Sequence, residues 1–281
     1  MKTAGETGLE EKRMPIDYEL LEQQLGIVTK KRQDALLTMP AAELTDREPM
    51  ESFLKLYREQ IKGLDIQVAA TYFAATWRAL CTAMQYMLSA APGRLCFSLE
   101  NLTIQVVLVN DFPWVYFVLN DPGEAPWPQG ERNAWRENEL GGFYAEALRP
   151  VMENIAAVSG VPLTQLWGQI PLGVQYYIRA IAGKLEDEAL RSRLMEDYGY
   201  LAKELPAAWF GLKRNPFNVK EVLLDDPYRP GEKTPMKPTC CLAYRTDTGH
   251  GYCYGCPKLT KQEREAKRLE IMEKIAASKA Q

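Results

Sequence analysis

Four of the chain's six cysteines fall within a seventeen-residue span, as Cys240, Cys241, Cys253 and Cys256. Any fold this chain adopts has to accommodate an adjacent pair and a C-x-x-C pair one loop apart. A C-x-x-C turn brings two sulfurs towards one metal while its amides point at the thiolates. That half-site serves zinc, iron–sulfur clusters and redox dithiols alike. The eleven residues between the pairs would span about 36–40 Å if extended, so closing them into a loop is easy. Adjacent side chains diverge on an extended backbone, so Cys240 and Cys241 reach one site only through a local turn. This is an awkward zinc knuckle. A two-iron cluster, which takes two thiolates on each iron, is a wider target. On the residues alone a [2Fe–2S] cluster, a four-thiolate zinc site and a redox disulfide all stay open. A Rieske centre needs two histidine ligands, and the chain has only His250.

The chain's 281 residues, 46% apolar and 25% charged, have the composition of an ordinary globular protein with room for a sizeable core. A net charge of −3 excludes a generally basic nucleic-acid binder. The charge is unevenly spread, at −7 over residues 1–236 and +4 over residues 237–281. The cysteines therefore sit in a locally basic segment, with Arg245, Lys258, Lys261 and Arg264 as candidate cations near an anionic cluster. Gly249, Gly251 and Gly255 are expected to let backbone approach the sulfurs, and Tyr244, Tyr252 and Tyr254 to pack around them. No apolar run approaches a membrane span, and the first residues show no apolar leader stretch. The expectation is a cytoplasmic protein without an integral membrane segment, a setting in which clustered cysteines favour metal or redox roles over structural disulfides.

Along the chain, residues 1–15 are polar and expected to fray. Residues 16–63 read as two helical pieces with a polar stretch at 38–48. A long helix is expected over 65–89, stopped by Ala91-Pro92-Gly93. Residues 101–109 and 114–119 read as two strands of an antiparallel hairpin, with a turn at 110–113. A proline-rich loop at 121–130 precedes helical periodicity over 132–159 and 172–204, with breaks at Pro150, Gly160-Val161-Pro162 and Pro171. A polar connection covers 215–238. A charged helix over 261–277 closes the chain, with Ala266, Leu269, Met272, Ile275 and Ala276 on its apolar face. The fold class is α+β, mostly helical with a small central antiparallel sheet. The division is a body over 1–236 and a cysteine-bearing module over 237–281.

The run Cys240-Cys241…Cys253-Tyr254-Gly255-Cys256-Pro257 resembles the C-terminal signature of the FhuF-type ferric-siderophore reductases: Cys-Cys, about ten residues, then Cys-x-x-Cys and usually proline. Leu166-Trp167-Gly168-Gln169 is similar to a Leu-Trp-Gly-Asn stretch of that family. The chain departs from the pattern in an eleven-residue loop and in Gln169 where Asn is usual. The resemblance implies a cytoplasmic oxidoreductase whose [2Fe–2S] cluster is held by all four cysteines. It implies one-electron reduction of Fe(III) in a siderophore of hydroxamate type, releasing Fe(II), with the body forming the siderophore pocket. No G-x-G-x-x-G follows a strand and no P-loop is present. The electron donor is therefore expected to be separate, a ferredoxin- or flavodoxin-like protein or a reductase docking on the basic end between Lys258 and Lys274. The competing reading is a non-catalytic siderophore- or partner-binding protein with a structural zinc site. An iron–sulfur sensor is the third, and no DNA-reading element is visible.

The remaining chemistry-bearing residues receive plainer readings. Cys81 and Cys96 are expected in the core, and His250 in an exposed loop. Trp114, Trp127 and Trp135 are expected as core or rim residues, not as a cavity lining. Asp225-Asp226 and Glu186-Asp187-Glu188 are assigned no acid–base work. A single histidine leaves no catalytic triad.

Overall fold

The computed structural model describes residues 13–279. The expectation of fraying over residues 1–12 lies outside them. Residues 13–16 are tied down: the Met14 amide donates to the Ala90 carbonyl at 2.8 Å and Ile16 is buried. Helix α1 (Tyr18–Leu25) starts where the Asp17 carboxylate accepts from the Leu20 amide. It stops at Gly26, whose φ of +66° is left-handed.

Two strands, β1 (Ile27–Val28) and β2 (Leu37–Pro40), then precede α2 (Arg47–Gln60). The reading of residues 16–63 as helix missed both strands. They are too short to show a period of two, and tertiary pairing recruits them. The helix expected over 65–89 forms as two, α3 (Ile66–Thr76) and α4 (Arg78–Ala90). No glycine or proline marks their joint. Fully buried Trp77 occupies it, edge-on to Phe73 and Phe117 with ring centroids 6.0 and 5.3 Å away.

Strand β3 (Gly93–Leu95) precedes the hairpin of β4 (Leu102–Val109) and β5 (Phe112–Leu119). The turn is tighter than expected. Asn110 and Asp111 alone make it, with φ of +50° and +60°, the mirror-image geometry suited to a two-residue hairpin. Pro113 lies within β5, towards the end where β5 has no second neighbour. The main sheet runs β1-β5-β4-β2. β1 pairs parallel to β5, so the sheet is mixed where a purely antiparallel one was expected. β6 (Glu124–Pro126), inside the proline-rich loop, pairs with β3.

Helix α5 (Arg132–Gly142) runs through a π-helical stretch, Phe143–Leu148, into α6 (Arg149–Ser159). Pro150 does not break this run as expected. The π turn, with the Arg149 amide bonded to the Tyr144 carbonyl, absorbs the donor that proline lacks. Next come α7 (Leu163–Trp167), α8 (Pro171–Lys184) and α9 (Glu188–Lys203). The strands β7 (Leu223–Asp225) and β8 (Lys233–Pro235) form a small hairpin before the cysteines, and α10 (Lys261–Lys279) follows them. The protein is thus α+β and mostly helical. Among the described residues no helix is long and apolar enough to cross a membrane.

One buried cluster runs from Ile16 through the helices to Cys240, Leu242 and Cys256, so the cysteine segment shares its apolar packing with the body. The helices also bury charge. Asp197 of α9 is fully buried and accepts from Arg132 at 2.7 and 2.8 Å, from Arg136 at 2.8 Å and from Ser89 at 2.7 Å. Burial opposes ionisation of this carboxyl, yet the two guanidiniums and the hydroxyl hold its pKa below the ordinary value.

Candidate metal centre

The segment before the cysteines is fixed from below by α7 and the turn into α8. Gln169 Nε2 donates to Thr239 Oγ1 at 2.7 Å and to the Cys240 carbonyl at 3.3 Å. Gln165 Nε2 donates to the same carbonyl at 2.9 Å, and Thr71 of α3 donates to the Cys241 carbonyl at 2.7 Å. The Leu166-Trp167-Gly168-Gln169 stretch therefore builds the seat of the cysteine pair. Trp167 is fully buried against Phe210 and Tyr144, which anchors α7.

The local turn that adjacent cysteines require is present at Leu242, a non-glycine residue with φ of +59°. It folds the chain back so that each sulfur receives the amide two residues on. The Leu242 amide donates to Cys240 Sγ at 3.4 Å, and the Ala243 amide reaches Cys241. The following loop is stitched to the start of α3. Arg245 pairs with Asp65 and donates to Gln67, Leu64 donates to the Arg245 carbonyl at 2.9 Å, and Gly63 bridges Thr246. Gly249 and Gly251 supply positive φ, at +68° and +63°, and no close approach to sulfur; a Cβ on either would meet open space.

The C-x-x-C half closes with the Cys256 amide on the Cys253 carbonyl at 2.9 Å. Arg264 holds it. Its guanidinium donates to the carbonyls of Tyr254, Cys256 and Leu259, at 2.5, 3.0 and 3.1 Å. The anchor sets the rotation of α10. Arg264, Lys267, Ile271 and Ile275 turn inward, while Leu269 and Met272, expected on the apolar face, are 48% and 40% exposed.

The four thiols stand as two pairs. Cys240 Sγ and Cys256 Sγ are 3.8 Å apart and both residues are buried. Cys241 and Cys253 are half-buried hydrogen-bond partners. Among the described residues, no three His, Cys, Asp or Glu side chains gather closely enough to hold a single ion. The donor set has the chemistry an iron–sulfur cluster requires. A metal–thiolate bond of about 2.3 Å in a tetrahedral site puts two sulfurs about 3.8 Å apart, the spacing found in the first pair. Two such pairs suit two metals better than one.

The cation that touches sulfur is Lys237, which the sequence reading did not single out. Its Nζ lies 3.4 Å from Cys241 Sγ, and it also interacts electrostatically with Cys253. Burial would lower its pKa, but the two thiols raise it, so it carries its charge. The hydrogen bond from Cys253, with help from Lys237, pulls the Cys241 thiol down to about 5, and the same bond pushes Cys253 up. Desolvation instead raises the Cys240 thiol. The four cations expected near the sulfurs are otherwise engaged or at the surface. Arg245 and Arg264 hold backbone and carboxylate partners, Lys258 donates to the Tyr244 hydroxyl at 3.2 Å, and Lys261 is exposed.

Two openings reach this centre. A cavity of about 410 Å³ between the α3–α4 joint, the start of α8 and the hairpin tip is lined by Cys241, Lys237, Tyr72, Arg78, Gln169 and Phe112, among others. A groove of about 450 Å³ beside α10 is lined by Cys253, Tyr252, Tyr228, Lys267 and Ile271, among others. His250 is exposed and borders both. Tyr244 and Tyr252 pack with ring centroids 4.5 Å apart over the loop, and Tyr254 is buried.

Cys81 is buried as expected, but Cys96 is exposed, in the link between β3 and β4. It follows buried Leu95 and precedes buried Phe97, and the extended backbone turns the side chain between them outward. Trp127 and Trp135 stack on each other and Trp114 is 46% exposed; none of the three lines the cavity. Asp226 is bound by Arg229 and Asp187 caps α9.

The chain matches no family model, and no curated protein matches it.

Proposed function

We propose that this protein is a cytoplasmic iron–sulfur oxidoreductase that reduces Fe(III) in a siderophore, of hydroxamate type, by one electron. Cys240, Cys241, Cys253 and Cys256 would hold a [2Fe–2S] cluster, which supplies a one-electron carrier when bound. The observation that carries the reading is that Cys241 and Lys237 stand in the wall of a cavity while Cys241 meets Cys253 and Cys240 meets Cys256. The family part of the reading rests on the cysteine motif.

The chain's own residues have definable parts. Lys237 places positive charge against thiolates whose charge would grow on reduction, which favours the reduced form. Arg264, Thr71, Gln165 and Gln169 fix the backbone that carries the ligands. The cavity offers a cationic donor in Arg78 and a hydroxyl in Tyr72 to an oxygen-rich ligand. Hydroxamates are hard oxygen donors that favour Fe(III), so reduction weakens the complex and frees the metal. The electron would arrive from a separate ferredoxin- or flavodoxin-like donor or a reductase on the α10 side. There Lys261 is exposed, whereas Lys267 is half-buried and paired with Glu270.

The test is a single turnover without oxygen. Reduced protein is mixed with a ferric trihydroxamate and Fe(II) is trapped with a chromogenic chelator. About one Fe(II) per cluster, formed much faster than with dithionite at matched potential, supports the reading. Reduced protein that keeps its electron in the presence of the complex contradicts it.

A further inference from the structure

We infer that the two halves of the cysteine motif interlock. Cys240 and Cys256 would serve one metal and Cys241 and Cys253 the other, so that each metal takes one thiolate from each half. The inference deepens the iron–sulfur reading above and rests on it. The simpler arrangement would give one metal the neighbours Cys240 and Cys241 and the other the C-x-x-C pair. The fold opposes it. The turn at Leu242 gives each adjacent sulfur its own amide donor and its own partner. Cys240 meets Cys256 at 3.8 Å, and Cys241 meets Cys253.

The interlocked pairs are inequivalent. Cys240 and Cys256 are 8% and 3% exposed, and neither lines the cavity or the groove. Cys241 borders the cavity and Cys253 borders the groove on α10, so one pair spans both openings. Lys237 bonds Cys241, and its charge also acts on Cys253 of that same pair. The geometry therefore gives one metal a dry, enclosed seat and the other a seat with a cation and two routes of approach.

The first test uses the full chain with Cys96→Ser, which removes the exposed thiol outside the site. Four double Cys→Ser variants each leave two site thiols: 240 with 256, 241 with 253, 240 with 253, and 241 with 256. Each cluster-free protein, checked for native circular dichroism, is equilibrated in glutathione buffers and its disulfide scored by thiol trapping and mass. The first two combinations should close at least tenfold more readily than the last two. Equal closure, or preference for the last two, overturns the assignment of Cys240 to Cys256 and of Cys241 to Cys253. No metal is needed, so this result stands apart from whether a cluster is bound.

Where a double variant fails to fold, the four single Cys→Ser variants of the cluster-loaded protein give the second readout. Their EPR spectra and midpoint potentials should sort Cys241→Ser with Cys253→Ser, and Cys240→Ser with Cys256→Ser. Sorting by sequence neighbours overturns the inference. A wild-type protein with no iron or sulfide overturns the iron–sulfur reading instead, and the disulfide result then judges the pairing alone.

Discussion

Gly168 and Thr239 touch so closely that a Cβ on Gly168 would stand 2.5 Å from both Thr239 Cγ2 and Oγ1. The glycine belongs to the turn after α7, and the threonine leads directly into Cys240. Gly168→Ala should therefore push the cysteine pair off its seat at a cost of about 1–3 kcal/mol. Thr239→Ala should relieve much of it. Urea unfolding of the two single variants and the double variant checks this: non-additivity in the relieving direction is expected, and simple additivity contradicts the contact.

Arg264 is expected to act as a clamp on the C-x-x-C loop, not as a free docking cation. Arg264→Met removes charge-assisted bonds from three carbonyls and should cost about 1.5–3 kcal/mol. Loss of bound metal should accompany it. Lys261→Glu, at an exposed position, should leave stability and metal content unchanged. Metal analysis and thermal unfolding of both variants separate the two roles.

Lys237→Met should lower the midpoint potential of the centre, because a positive charge beside two thiolates is lost. A shift of tens of millivolts is expected; about 59 mV corresponds to a tenfold change in a one-electron equilibrium. Lys237→Arg should recover most of it. Potentiometric titration of the three proteins reads the effect directly.

The Asp197 carboxylate should set part of the acid stability. Its folded pKa is depressed, so its contribution is complete above the unfolded value near 3.8 and is lost as pH falls through the lower folded value. Asp197→Asn removes the buried carboxylate that Arg136 and Arg132 share and should cost about 3–5 kcal/mol at neutral pH. Chemical unfolding at pH 7, and between pH 5 and 2, checks the size and the window.

The hairpin, the long helices and the four-cysteine spacing were legible because each carries a strong local signal. Strands 102–109 and 112–119 are rich in β-branched and aromatic residues, and the cysteine spacing stands out against a chain poor in cysteine. Features made by contacts distant in sequence were not legible. β1 and β2 exist because β5 and β4 offer them edges. Arg264 rotates α10 away from the face its hydropathy suggests. Lys237 looks like an ordinary linker lysine until the fold sets it against Cys241. Its position four residues before Cys241 was the one available hint.

The most direct measurement is the metal content and spectrum of protein purified without oxygen. About two iron and two acid-labile sulfide per chain are expected, with a red-brown chromophore and an S = 1/2 EPR signal on dithionite reduction that is lost in Cys253→Ser. Stoichiometric zinc with no chromophore would contradict this expectation and leave a binding protein with a structural metal.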